Sequence, residues 1–92
     1  MIVIPTKSFN KSVEKITDKI ARKRLEILIE KLEQAQSLNE ISNVKALTNN
    51  HSLYRIRTGD YRLIVEQTDM NTIEILLIEY LKKDDNTYRK YN

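Results

Sequence analysis

The spacing of apolar residues changes once along the chain, near residue 50, and this change constrains the fold more than any other feature. Before it, apolar residues recur at steps of four and three, as in the series Ala21, Leu25, Leu28, Leu32 and Ala35. Such spacing is typical of a helix that buries one face. After it, the period shortens to two in three segments, residues 53–57, 60–66 and 72–80. A period of two predicts strands, so a helical first half precedes a β-sheet.

The helical half starts with a short apolar segment and contains two helices. Residues 1–4 predict an edge strand that ends at the only proline, which cannot donate to a strand ladder. Thr6 or Ser8 can cap the first helix, and Thr17 or Asp18 can cap the second. Together the elements predict an α+β fold, in which an N-terminal strand and a helical hairpin pack on a small antiparallel sheet. The last strand, rich in Ile and Leu, is predicted to be central.

The composition limits the classes of function. The chain has 92 residues, no cysteine, one histidine and a net charge of +3. This length supports one domain, residues 1–92, and the charge permits a polyanionic partner without requiring one. Without cysteine there are no disulfides or thiolate sites, and one histidine makes no metal constellation, so we expect no metal or cofactor. The apolar N-terminal run is too short for a signal peptide or membrane span, so we expect a cytoplasmic protein without a membrane partner.

The only glycine, Gly59, lies between two of the predicted strands. A two-residue hairpin loop formed by Thr58 and Gly59 would use the positive φ that glycine adopts freely. Counting outward from this loop places Arg55 opposite Arg62. One face of the hairpin is then apolar and aromatic, while the other carries Arg55, Arg57 and Arg62. A slip of one residue would push the arginines into the core, so the register is restricted.

The predicted pair of Arg55 and Arg62 suggests an anion site. Like charges directly opposite each other destabilise a ladder by roughly 0.2–1 kcal/mol. A phosphate between them would turn this repulsion into a clamp, because guanidinium geometry suits phosphate. The alternative is that the arginines are solvated or neutralised by acids on the same face; we favour the clamp. Glu74 and Glu79 are interpreted as strand-end or surface acids, and His51 as a solvated loop residue.

Residues 53–65, which read LYRIRTGDYRLIV, resemble the mark of the RelE/ParE superfamily of bacterial toxins from type II toxin–antitoxin pairs. That mark is a strand of the form Tyr-Arg/Lys-Ile-Arg/Lys, a tight turn with Gly, then Asp/Gly-Tyr-Arg and an aliphatic strand. The order of the predicted elements is similar as well, including a Lys-x-Leu approach at residues 45–47. The resemblance covers nearly the whole chain, although only the hairpin is specific, and it implies a RelE-like microbial RNase fold.

The resemblance also implies an activity and a set of site residues. RNA-cleaving members promote the attack of a ribose 2′-hydroxyl on the adjacent phosphate of ribosome-bound mRNA. The implied catalytic residues are Arg55, Arg57, Arg62, Lys83 and Tyr88. The implied RNA-binding residues are Lys45, Lys82 and Arg89. No metal or cofactor is implied, and the implied protein partner is a cognate antitoxin that wraps the toxin.

Two features of the C-terminal segment leave other functions open. Lys83 stands where RNA-cleaving members usually have arginine, and the segment from Lys83 to Tyr88 is longer and more acidic than usual. Arginine hardly deprotonates, so a general base would come from Lys82, Lys83, Tyr88, Glu66 or His51, or the reaction would rely on positioning alone. The alternatives are a ParE-type inhibitor of DNA gyrase that does not cleave RNA, and an inactive homologue that binds only its antitoxin.

Overall fold

The structure, a computed structural model, describes residues 1–47 and 52–81. Within these residues the chain forms two α-helices, one short 3-10 helix and five strands. In chain order they are β1 (Ile2–Pro5), α1 (Lys7–Glu14), α2 (Lys19–Gln34), the 3-10 helix (Leu38–Glu40), β2 (Val44–Ala46), β3 (Leu53–Thr58), β4 (Tyr61–Asp69) and β5 (Thr72–Tyr80). Neither α-helix is long and apolar enough to cross a membrane.

Each helix begins at one of the two residues that the sequence offered as its cap. The Thr6 hydroxyl accepts a hydrogen bond from the Phe9 amide at 3.2 Å. The Asp18 carboxylate accepts from the amides of Ile20 and Ala21, at 2.9 and 3.3 Å. These oxygens satisfy amide groups that the first turn of a helix leaves without a backbone partner, which fixes where each helix starts.

The sheet has the strand order β1-β5-β4-β3-β2. The predicted α+β architecture is confirmed, and β5 is an interior strand as expected. The sheet is mixed rather than wholly antiparallel, because β1 runs parallel to β5, with Ile2 opposite Thr72. This pairing joins residues about seventy positions apart, and no local pattern encodes it. The short strand β2 at the other edge was not predicted, since three residues are too few to show a period of two.

The core lies between the helices and one face of the sheet. Leu25, Leu28 and Leu32 from the predicted stripe of α2 are buried. They belong to one cluster with buried sheet residues, including Ile56, Leu63, Val65, Ile73 and Ile75. Tyr54 and Tyr61 pack against this cluster, as the alternation in the hairpin predicted. We call the opposite face of the sheet, which carries Lys45, Arg55, Arg62, Ile64 and Leu77, the outer face.

The β3–β4 hairpin closes one residue later than predicted. Thr58 pairs with Tyr61, so the loop consists of Gly59 and Asp60. Gly59 has a φ of 60°, which confirms its predicted backbone role. Moving the loop by one residue changes each partner by two positions and keeps every side chain on its face. The alternation of apolar and polar residues therefore fits both registers, and the sequence pattern could not choose between them.

Candidate functional site

A hollow of about 270 Å³ opens on the outer face, at the end of the sheet formed by β2, β3 and the start of β4. It is lined by Asn43, Val44, Lys45, Arg55, Arg57, Arg62 and Leu81. Four of these seven residues are cationic, and none is acidic. We call this hollow the cationic cleft. A concave surface that carries one sign of charge concentrates ligands of the opposite sign, so the cleft suits an anion.

Two pairs of like charges face each other across the strands of the cleft. Lys45 lies directly opposite Arg55, and Arg57 lies directly opposite Arg62. The predicted pairing of Arg55 with Arg62 is therefore wrong, because the later loop shifts the register and places Ile64 opposite Arg55. The observed register nevertheless holds two repulsive pairs where one was expected. Each such pair costs roughly 0.2–1 kcal/mol, and a bound anion would offset that cost.

Arg62 is held in place by an acid on the next strand. Its Nε donates to Glu79 Oε2 in an ion pair, and the two residues lie opposite each other on β4 and β5. The two side chains are 35% and 41% exposed, so Glu79 is partly buried beside the cleft. The interpretation of Glu79 as a strand-end or surface acid is confirmed, because it is the next-to-last residue of β5, but its ion pair with Arg62 was not predicted. For Arg62, the preference for a clamp over arginines neutralised by acids on the same face is wrong, because Glu79 pairs with it.

A signal for the contact between Arg62 and Glu79 was present in the sequence. The β4–β5 connection consists of Met70 and Asn71, because Asp69 pairs with Thr72. Simple counting from that turn places Arg62 opposite Glu79. Two register irregularities lie between the turn and this pair, but they cancel, so the count gives the observed partner. Neither Met70 nor Asn71 is a glycine, so this turn is less evident in the sequence than the one at Gly59.

The positive charge of Arg55 is partly shielded from water and has no counterion among the described residues. Arg55 is partly buried between Lys45 on β2 and Ile64 on β4. It forms no ion pair within residues 1–47 and 52–81. Arg57 is more exposed, and its Nε lies 3.5 Å from the carbonyl oxygen of Gly59. A partly buried guanidinium without a counterion is stabilised when an anion binds, so Arg55 is well suited to hold an anion in the cleft.

The structure brings together one group of the predicted site residues: Lys45, Arg55, Arg57 and Arg62. Another group lies outside the described residues, namely His51, Lys82, Lys83, Tyr88 and Arg89. Glu66, a candidate base, does not line the cleft. It lies four residues from Arg62 along β4, about 13 Å away at the usual rise per residue. Its Oε2 accepts a hydrogen bond from Ser52 Oγ at 3.2 Å.

Comparison with known proteins places the chain in a family. Residues 3–84 match the sequence profile described as ParE toxin of type II toxin-antitoxin system, parDE. A curated relative, Toxin RelE3 of Methanocaldococcus jannaschii, is 36% identical over 67 residues, which cover 72% of this chain and 75% of that protein. The chain belongs to the RelE/ParE superfamily of toxins. This confirms the resemblance that residues 53–65 carried.

Solved structures of toxin–antitoxin complexes contain chains of the same fold as this RelE/ParE toxin. One is the RelB–RelE complex from Methanococcus jannaschii, with a TM-score of 0.75 and 26% identity over 97% of this chain and 99% of that chain. Another is the RelE–RelB complex from Pyrococcus horikoshii OT3, with a TM-score of 0.69 and 24% identity over 89% of this chain and 96% of that chain. Because its identity is lower, the similarity to the Pyrococcus horikoshii structure supports the fold alone.

Proposed function

We propose that this RelE/ParE toxin is an endoribonuclease that cuts mRNA on the ribosome. The observation that carries the proposal is the partly buried Arg55, which has no ion-pair partner in the described residues and lies beside Lys45 in the cationic cleft. A polyanion that threads the cleft would place a phosphate against it. Guanidinium groups bind phosphate through paired hydrogen bonds, which makes arginine the suitable residue here.

The proposed reaction is an internal transfer at phosphorus. The ribose 2′-oxygen forms a bond to the adjacent phosphorus, the bond from phosphorus to the 5′-oxygen breaks, and a cyclic phosphate is left. Negative charge builds on the phosphoryl oxygens during this step. Arg55 and Arg57 would stabilise that charge from β3, and Arg62 from β4, with its orientation set by Glu79.

Proton transfer needs a group other than these arginines, because a guanidinium hardly deprotonates. The 2′-hydroxyl proton must leave and the 5′-oxygen must gain one. We assign these transfers to the C-terminal pair Lys83 and Tyr88, on the strength of the family resemblance. Lys45, Lys82 and Arg89 are assigned to binding the RNA strand. The reaction as proposed uses no metal or cofactor.

The proposed protein partner is a cognate antitoxin. The support is that the solved complexes with this fold pair a toxin with an antitoxin. An antitoxin that covers the cationic cleft would block RNA, and its acidic side chains would replace the phosphate as counterions for Arg55. Because the proposed substrate is mRNA on translating ribosomes, the proposed location is the cytoplasm.

A second candidate is inhibition of DNA gyrase without RNA cleavage. The observation that favours it is the match of residues 3–84 to the ParE profile. The two candidates are separated by one pair of assays on purified toxin. Translating ribosomes with a defined message are treated with toxin, and cut sites are mapped by primer extension; supercoiling by gyrase is followed in parallel. We expect cuts that require ribosomes and unaffected gyrase. Gyrase poisoning without cuts would establish the second candidate, and neither effect would indicate an inactive homologue.

Glu79→Gln is expected to separate binding from cleavage. Removing the carboxylate charge beside Arg62 should tighten the binding of a non-cleavable 2′-O-methyl RNA by about fivefold, since a charge interaction near 4 Å in water is worth about 1 kcal/mol. Cleavage should nevertheless slow, because Arg62 loses the partner that orients it. Binding is measured by fluorescence anisotropy and cleavage by a single-turnover assay.

The matched control for Glu79→Gln is Glu74→Gln. Glu74 lies on the same strand, and its substitution by Gln removes the same charge. It lies opposite Glu66 in the strand register, away from the cleft. The control should change affinity only through net charge, and by less. Equal effects of the two substitutions on affinity and rate would show that Glu79 has no specific role beside Arg62.

A further inference from the structure

A second hollow lies next to the cationic cleft, between the exposed side of α2 and the β3–β4 loop. Its volume is about 470 Å³, within the range of roughly 300–1,000 Å³ typical of small-molecule sites. We call it the turn groove. The side chains that matter for its chemistry are three cations, one acid and two aliphatic residues: Arg24, Lys31, Arg57, Glu40, Ile27 and Ile41.

The loop glycine gives Arg24 its position in the turn groove. A Cβ atom placed on Gly59 would lie 2.7 Å from Arg24 Nη1, which is closer than real contacts allow. The missing side chain therefore lets the guanidinium rest against the hairpin loop. Arg24 and Lys31 both lie on the exposed side of α2, seven residues apart, with Ile27 between them. The helix thus presents two cations and an apolar side chain to the same groove.

The charges of the turn groove are poorly compensated. Arg24, Lys31 and Arg57 form no ion pair in the part of the chain that the structure describes. Glu40 is the one acid among the described residues that line the groove, and it has a local role, because its Oε2 accepts a hydrogen bond from the Gln36 backbone amide at 3.2 Å. Among the described lining residues, three cations stand against one acid, so the groove suits an anion in its own right.

Arg57 connects the two hollows. Its side chain lines both the cationic cleft and the turn groove, so a chain-like anion bound in one can continue into the other. We propose that the RNA strand passes over Arg57 into the turn groove, where Arg24 and Lys31 bind the phosphate next to the scissile one. Ile27 and Ile41 contact the sugar or base of that nucleotide. This inference rests on the proposed function and extends it to residues of α2.

The test compares Arg24→Gln and Lys31→Gln with Lys23→Gln. Lys23 precedes Arg24 on the same helix, is exposed, pairs with Glu26 at 3.9 Å and does not line the groove, so it controls for net charge. The affinity of each variant for a 2′-O-methyl RNA is measured as a function of salt concentration. We expect Arg24→Gln to weaken binding roughly fivefold and to lower the slope of log affinity against log salt by about 0.7, the loss of one phosphate contact. Lys23→Gln should keep the slope.

Three outcomes would overturn the inference or separate it from the proposed function. If Arg24→Gln and Lys31→Gln match Lys23→Gln in affinity and slope while the wild type still cuts mRNA on ribosomes, the turn groove is not part of the RNA path, and the proposed function stands. If the wild type neither cuts mRNA nor binds RNA, the proposed function fails and the inference fails with it. If the two variants lose affinity for an acidic antitoxin segment but not for RNA, the groove belongs to the antitoxin.

Discussion

Arg55→Gln is expected to slow ribosome-dependent mRNA cleavage by about 100-fold, the scale seen when one fixed donor to a developing oxyanion is removed. It should do so without destabilising the fold. Arg55 lies opposite Lys45 and forms no ion pair in the described residues, so its removal relieves repulsion and forfeits no salt bridge. The free energy of unfolding, measured with urea, should stay constant or rise by up to about 1 kcal/mol. A rise in stability with a loss of activity is typical of a binding residue.

Arg22→Gln is expected to have the opposite effects, a loss of stability without a loss of activity. The Arg22 guanidinium donates to the carbonyl oxygens of Ile16 and Val13, at 2.7 and 3.1 Å, and so ties α2 to the end of α1. Its substitution should lower the free energy of unfolding by about 1 kcal/mol and leave cleavage by the folded protein unchanged. If Arg55→Gln instead destabilised the protein as Arg22→Gln does, Arg55 would be a structural residue. The slower cleavage by that variant would then not be evidence that Arg55 binds phosphate.

Gly59→Ala is expected to have the largest effect on stability among the substitutions in the hairpin. Gly59 has a φ of 60°, where an L-residue with a Cβ is disfavoured by roughly 1–2 kcal/mol. For a domain of this size, that loss corresponds to a melting temperature lower by about 5–10 °C. The new Cβ also meets the end of the Arg24 side chain, which is flexible and can move away, so the contact should cost RNA affinity more than stability.

The Gly59→Ala prediction is checked by thermal unfolding and by RNA affinity in the same preparation. A double variant with Arg24→Gln serves as the control for the contact. If the turn groove binds RNA, Gly59→Ala should weaken binding in the wild type and have little further effect once Arg24 is replaced. If the Gly59→Ala variant had the same melting temperature as the wild type, this would contradict the positive φ of Gly59 and the loop formed by Gly59 and Asp60.

The sequence was sufficient for the features that depend on periodicity and capping. The buried side of α2, the caps at Thr6 and Asp18, and the inward tyrosines of the hairpin all follow from which positions are apolar and which can accept a hydrogen bond. The separation of arginines from core residues in the hairpin was also predictable. These features are local, so each can be found from neighbouring residues alone.

Features that depend on the partner of a strand were not predictable in the same way. Two hairpin registers fit the same alternation, so the sequence pattern could not show that Arg57, and not Arg55, lies opposite Arg62. The parallel pairing of β1 with β5 joins the two ends of the described chain. The turn groove joins α2 to the β3–β4 loop, and only the folded chain shows that Gly59 leaves room for Arg24, which precedes it by thirty-five positions.

If the cationic cleft binds the RNA phosphate, the NMR spectrum of the arginine Nε groups will report this contact directly. A 2′-O-methyl RNA is titrated into the toxin, with arginine signals assigned by substitution. We predict that the Nε signals of Arg55, Arg57 and Arg62 shift as RNA is added and stop shifting at the same RNA concentration, when the site is saturated. The Arg22 signal should stay in place, because Arg22 lines neither the cationic cleft nor the turn groove. If RNA binds and the signals of Arg55 and Arg62 stay unchanged, the cationic cleft does not bind the RNA phosphate.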